Sequence, residues 1–162
     1  MLLGVLTVSD RCSQGLACDT AGPAVLTLLR KQWPLAQFKT ALVPDDEEEI
    51  IAHFRKWSDD GAALIVTAGG TGMSPRDRTP EATRRAIDRE APGLAEAMRS
   101  KGSISTPYAW LSRGVAGLRG NTLIVNLPGS RRGAEDSLAS ILELLVHGLE
   151  VAGGVQDHAR IE

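Results

Sequence analysis

Aromatic side chains make up 4% of the 162 residues, too few to build a stacking platform for single-stranded nucleic acid. Cysteine occurs twice, at Cys12 and Cys18, with no second Cys/His pair at zinc spacing. That excludes a zinc module and leads us to expect free thiols in a reducing compartment. The three histidines, His53, His147 and His158, do not cluster in the sequence. They read as helix-face or tail residues, and no Ser/His/Asp triad is suggested. No stretch approaches the ~20 apolar residues that a membrane helix needs. The apolar run Leu2 to Val8 has no basic segment before it and meets Asp10-Arg11 at once, so a signal peptide is not expected and the cytoplasm is. A net charge of −2 and a pI near 5.9 supply no surplus that would draw nucleic acid or an anionic membrane.

Hydrophobic residues at 43% and charged residues at 23% are ordinary globular proportions. The length suits a single domain over residues 1–162. Apolar runs at Leu3–Ser9 and Ala62–Thr67 read as buried strands, and Phe38–Val43 and Asn121–Asn126 as further strands. Helices are expected from Gly22-Pro23 to Pro34, from the acidic run Asp45–Glu49 to Gly61, from about Pro80 to Arg89, from Pro92, and from Ser130 to Gly153-Gly154. Asp10 to Ala21 reads as a loop, and Leu118 to Gly120 as a turn. Strands alternating with helices predict an α/β fold: three layers, a mostly parallel sheet with helices on both faces. In such sheets ligands occupy the crevice at the carboxyl ends of the strands.

The unusual residues fall at those strand ends. Thr67-Ala-Gly-Gly-Thr-Gly-Met-Ser-Pro-Arg-Asp-Arg-Thr-Pro80 carries three glycines in four residues. Such a loop brings the backbone close to a ligand and turns successive N–H groups into an anion nest. It is neither a Walker A loop nor a GxGxxG fingerprint, and GGTG alone is equally well a tight strand-to-helix turn. Thr79 suits a helix N-cap with Pro80 at the first helical position. Arg76 and Asp77 are left without a structural duty, and a carboxylate beside a phosphate loop suits Mg²⁺. In Pro44-Asp45-Asp46 only one aspartate can cap the next helix. The other is a candidate metal or base carboxylate. In Asn126-Leu-Pro-Gly-Ser-Arg-Arg132, Ser130 can cap the last helix, whose N-terminus attracts anions. Arg131 and Arg132 oppose the helix dipole there, which fits either a phosphate partner or a solvated pair. Ser9-Asp10-Arg11 closes the first strand.

Together these segments resemble the molybdopterin adenylyltransferases of molybdenum-cofactor biosynthesis, and the G domain of gephyrin. The matching residues are Val8-Ser9-Asp10-Arg11, Asp19 to Pro23, Val43-Pro44-Asp45, Gly69-Gly-Thr-Gly72, Pro75 to Ala82, Leu111-Ser112-Arg113 and Asn126 to Gly129. The specific part is GGTG followed by PRDxTPEA. The resemblance implies a trimer, and Mg²⁺-dependent attack of the molybdopterin phosphate on the α-phosphate of ATP. It assigns turnover, and Mg²⁺, to Asp45 and Asp77. It assigns the nucleotide to Gly69, Gly70, Thr71, Gly72 and Ser74 with Pro128, Gly129 and Ser130. It sets Ser9, Asp10, Arg11 and Ser112 toward the pterin, and adds the downstream metal-insertion protein as a partner. A related branch lacks the Arg-Asp-x-Thr-Pro signature; Arg76-Asp77 and Thr79-Pro80 point to the active one. Two other readings stay open: a non-catalytic molybdopterin carrier on the same fold, and a nucleotide pyrophosphatase.

Overall fold

A computed structural model describes residues 1–153. Six strands form one sheet: β1 (Leu2–Val8), β2 (Gln37–Val43), β3 (Ala62–Ala68), β4 (Arg89–Glu90), β5 (Ala116–Arg119) and β6 (Thr122–Leu127), in the order β2-β1-β3-β6-β5-β4. The four strands read from the sequence are the parallel part, within a residue or two at each end. The near-continuous burial of β1, β3 and β6 follows from helices on both faces, whereas β2, at the sheet edge, is mostly half-buried or exposed.

The helices are α1 (Asp10–Ser13), α2 (Ala21–Gln32), α3 (Glu47–Asp59), α4 (Thr79–Ala86), α5 (Pro92–Ser105) and α6 (Arg131–Ala152), with a 3₁₀ turn at Pro107–Leu111. On one face α2, α5 and α6 pack Val25, Leu29, Met98, Leu138, Ile141 and Leu145 against inward residues of β1, β3 and β6. On the other, Ile50, Ile51, Phe54 and Trp57 of α3 and Ala82 and Ala86 of α4 cover Leu6, Val8, Ile65 and Ile124. The three-layer expectation therefore holds.

Three local readings change. Leu118 to Gly120 is not only a turn: Leu118 and Arg119 end β5, and Gly120, at φ +55°, starts the two-residue connection to β6. β5 runs antiparallel to both neighbours. The stretch after Val8 is not all loop, since Ser9 caps the helical turn α1 by accepting a hydrogen bond from Cys12 N–H. Finally, α4 stops at Ala86 rather than Arg89, because Asp88 N–H turns to the Leu118 carbonyl and starts the pairing of β4. His158 and Gly154 lie outside the described residues. Gly153 does follow α6.

Candidate active site

β1 has β2 on one side and β3 on the other, so the chain reverses its winding direction there. That switch point opens a crevice at the strand ends, and the singled-out segments arrive from four of them. The loop after β3 passes very near its neighbours. Gly69 has φ +112°, and a Cβ on it would stand 2.1 Å from the Val8 carbonyl oxygen; its Cα also lies 3.1 Å from where a Gly129 Cβ would be. Gly70 has φ +63°. Only glycine fits both positions.

Thr79 does not cap α4. Arg78 occupies the cap position with no side-chain cap bond. The buried Thr79 hydroxyl donates instead to the Gly69 carbonyl at 2.9 Å, and Thr79 N–H donates to the Gly70 carbonyl at 3.1 Å. A buried carbonyl without a donor is costly, and Gly69 is buried. The Thr79 hydroxyl satisfies that carbonyl, and the loop is thereby stitched to its own helix.

The Asp45-Asp46 ambiguity resolves cleanly. Asp46 caps α3, accepting from Glu48 and Glu49 N–H at 3.0 Å each. Asp45 is free of that duty and turns into the crevice. Asp45 Oδ2 accepts from Asp10 N–H at 3.0 Å, and Asp45 N–H donates to Asp10 Oδ1 at 3.0 Å. Asp45 Oδ1 is buried with no hydrogen-bond partner. Burial pushes the Asp45 carboxyl above the usual carboxylate range, the charges of Asp10 and Asp77 add to this, and the Asp10 N–H and Arg76 oppose it. The Arg76 guanidinium and the Asp45 N–H hold Asp10 below that range.

Asp77 closes the glycine loop on itself: its Oδ2 accepts from Ser74 N–H at 2.8 Å, and Ser74 Oγ accepts from Arg76 N–H at 3.2 Å. Ser74 thus shapes the loop with both its backbone and its side chain. The loop is braced from outside by Arg113, whose Nε donates to the Gly72 carbonyl and Nη2 to the Asp77 carbonyl, each at 2.7 Å, while Nη1 pairs with Glu81. Sequence reasoning gave Arg113 no role; only its place in the Leu-Ser-Arg segment hinted at one.

Two hollows flank the glycine loop. A cavity of about 230 Å³ holds Ser9, Asp45, Gly69, Gly70, Asp77 and Gly129, with Asp19 and both cysteines at its edge. Asp19 there accepts from the Thr7 hydroxyl and from Gly22 N–H, anchoring the start of α2. Cys12 is half-buried and Cys18 exposed, both as free thiols. The larger cavity, about 570 Å³, lies between the loop, α5, the 3₁₀ turn and α6, and takes in Thr71, Gly72, Asp77, Ser112, Pro128 and Ser130. Asp77, Gly70 and Gly129 border both. The four residues set toward the pterin are not gathered in one place: Ser9 lines the smaller hollow, Ser112 the larger, and Asp10 and Arg11 line neither.

Asn126 is structural. Its side chain accepts from Val115 N–H and donates to the Thr67 and Thr83 hydroxyls, all buried. Ser130 caps α6 through Gly133 N–H, as expected. Arg131 and Arg132 are compensated one turn on by Glu135 and Asp136, at 3.3 and 3.5 Å. His53 bonds the Glu49 carbonyl and lies edge-on to Trp57, and His147 is an exposed residue of α6.

Among the described residues no three His, Cys, Asp or Glu side chains form a metal site by themselves. Two carboxylates beside the glycine loop, one with an orphaned buried oxygen, do fit Mg²⁺, which relies on substrate phosphates and water for its remaining ligands. Among the described residues no helix is long and apolar enough to cross a membrane.

Comparison with known proteins agrees with this geometry. A family described as a probable molybdopterin binding domain matches residues 4–147. The molybdenum cofactor synthesis protein cinnamon of Drosophila melanogaster is 42% identical over 151 residues, 93% of this chain but only 25% of its own length. The molybdopterin adenylyltransferase of Helicobacter pylori strain J99 is 36% identical over 155 residues, 94% of this chain and 88% of its own. The crystal structure of the molybdopterin biosynthesis enzyme MoaB from Thermus thermophilus is 50% identical with a TM-score of 0.85, covering 94% of this chain and 96% of that one. Matched along most of its length by the family and by a relative of similar size, the chain belongs to the molybdopterin-binding domain family of molybdenum-cofactor biosynthesis.

Proposed function

We propose that this chain is a molybdopterin adenylyltransferase: the molybdopterin phosphate attacks the α-phosphorus of ATP, forming adenylyl-molybdopterin and releasing pyrophosphate. The observation that carries the reading is Asp45 Oδ1, buried and without a partner beside the glycine loop. An unsatisfied carboxylate oxygen is costly to keep, and a metal–nucleotide complex would satisfy it.

Phosphoryl-group chemistry needs positioning and charge neutralisation more than a covalent nucleophile. The N–H groups of Gly70 to Gly72 receive phosphate oxygens, Gly69 N–H being engaged by the Leu127 carbonyl, and the α6 N-terminus at Ser130 adds its dipole. Asp45 and Asp77 hold Mg²⁺, which when bound neutralises charge on the α-phosphate and the leaving pyrophosphate. One new P–O bond forms at the α-phosphorus while its bond to the bridging oxygen breaks, and no group of the protein is consumed. The two cavities meet at Asp77, Gly70 and Gly129, so two substrates lying in them bring their phosphates to the same loop. Ser9, Arg11 and Ser112 are assigned to the pterin and its phosphate.

The relative named molybdopterin adenylyltransferase supports the reaction. The trimer, and hand-over of product to the metal-insertion protein, come from the family resemblance.

The test supplies molybdopterin and Mg-ATP carrying label in the α-phosphate. Labelled pterin–AMP and pyrophosphate are expected, and Asp77→Asn should abolish transfer with the fold intact. Pterin binding without transfer would make the chain a carrier; ATP cleavage with no pterin present would make it a pyrophosphatase. Either result overturns the proposal.

A further inference from the structure

We propose that Asp10 and Arg76 are a positioning pair that fixes the Asp45 and Asp77 carboxylates relative to one another. Asp10 then acts within the frame of the site rather than on the pterin. Its consequence for turnover rests on the adenylyl-transfer reading; its consequence for metal–nucleotide binding does not.

The two carboxylates come from opposite sides of β1, one following β2 and the other in the loop after β3. Left to separate loops, their spacing would vary with both. Asp10, at the end of β1 between them, removes that freedom. Its reciprocal bonds with Asp45 use Asp45 Oδ2 and both backbone N–H groups, at 3.0 Å each. With Oδ2 so engaged, the orientation of the Asp45 carboxyl is fixed and Oδ1 faces Gly70.

Arg76 then grips Asp10 with its fork, Nε to Oδ2 at 2.9 Å and Nη2 to Oδ1 at 3.0 Å. Arg76 is the residue before Asp77, and its N–H also bonds Ser74, the residue that holds Asp77 Oδ2. A continuous path of short hydrogen bonds and backbone therefore joins Asp45 to Asp77 through Asp10 and Arg76. Arg78 also reaches Glu47 across these loops, but more loosely, at 3.7 Å.

The Arg76 side chain is 67% exposed. An exposed pair adds little to global stability, so its loss should leave the fold standing. Geometry at a reacting centre is less forgiving: a displacement of about 1 Å costs on the order of 100-fold in rate. Lysine keeps the charge but cannot supply the bidentate fork. A positioning role and a role as a phosphate-binding charge therefore make opposite predictions for Arg76→Lys.

The experiment measures four things for wild type, Arg76→Ala, Arg76→Lys, Asp10→Asn and the Asp10→Asn/Arg76→Ala double variant. They are kcat, KM for molybdopterin at saturating Mg-ATP, Tm, and Mn²⁺ binding by electron paramagnetic resonance with α,β-methylene-ATP. We expect kcat to fall about 10- to 100-fold in both Arg76 variants, with KM for molybdopterin within about threefold and Tm within about 4 °C. The double variant should be no worse than the poorer single one, because the two residues act as one unit. Mn²⁺–nucleotide affinity should weaken about tenfold in every variant. Near-wild-type kcat in Arg76→Lys would assign Arg76 to charge alone, a raised KM with kcat intact would assign it to substrate, and multiplying losses would separate the two residues; each overturns the pair. If wild type transfers no adenylyl group, the Mn²⁺ series alone decides: weakened binding in the variants upholds the pair while the reaction reading falls, and unchanged binding sinks the pair.

Discussion

Gly70 stands where any side chain would strike Asp45: a Cβ built on it lies 2.7 Å from Asp45 Oδ1 and 2.3 Å from Thr79 Oγ1. The backbone there is also left-handed, at φ +63°. Gly70→Ala therefore carries two penalties. The conformation costs about 1–2 kcal/mol in a non-glycine residue, and the methyl group displaces the oxygen assigned to the metal. Urea denaturation should show a loss of about 2 kcal/mol, with adenylyl transfer down at least about 100-fold. A variant with nearly full turnover would mean that Asp45 Oδ1 has no part in the reaction.

Asp45 and Asp46 are adjacent and chemically alike, yet the structure divides their work. Asp46→Ala removes the α3 cap and should cost about 1 kcal/mol while leaving turnover within about threefold. Asp45→Asn should do the reverse, removing turnover with a small change in Tm, because asparagine preserves an acceptor for the Asp10 N–H. Paired thermal and kinetic measurements on the two variants check this, and equal kinetic losses would refute the division.

Much of this was legible in the sequence for physical reasons that also mark its limits. Leu3–Val8, Ala62–Thr67 and Thr122–Asn126 carry enough continuous apolar character to announce buried parallel strands. Ala116–Arg119 and Arg89–Glu90 do not: four and two residues, with no β-branched or aromatic residue between them, become a sheet edge only through pairing with β6 and with each other. The site shows the same contrast. Asp45, Asp77 and the glycine loop were visible because their residue types suit a chemistry. Arg113 and Thr79 were not, because their roles depend on reaching carbonyls 41 and 10 residues away, and a capping position and a basic residue before a strand have commoner explanations.

Arg113 and Glu81 give a pH dependence. Burial pushes the Glu81 carboxyl up, but the hydrogen bond from Arg113, that from its own N–H, and the charges of Arg113 and Arg78 outweigh it, so Glu81 lies below its ordinary 4.5. A carboxyl depressed in the folded state binds protons more readily when unfolded. Its contribution is therefore present above pH 4.5 and lost as pH falls through the lower folded value. Glu81→Gln should be less stable than wild type by about 1–2 kcal/mol at pH 7, with the difference shrinking steadily below about pH 4. Urea titrations from pH 7 to pH 3 check it; a constant gap would show that the ion pair is not its source.

Asn126 offers the sharpest separation of fold from chemistry. It sits in the Asn-Leu-Pro-Gly segment that the resemblance assigns to nucleotide, and it borders the larger cavity, yet its side chain joins Val115, just before β5, to β3 and α4. Asn126→Ala leaves the Val115 N–H without its acceptor and opens a small void among polar groups. Each buried group stranded this way costs about 1–3 kcal/mol, so the variant should lose about 3 kcal/mol and show a Tm lower by about 6–12 °C. Asn126→Asp keeps the acceptor but puts a charge where the structure supplies two hydroxyls and an amide, and should be at least as unstable. If Asn126 serves only the fold, the protein that remains folded at low temperature keeps a KM for ATP within about threefold of wild type. A large rise in that KM, at a temperature where circular dichroism shows native structure, would instead make Asn126 a nucleotide contact.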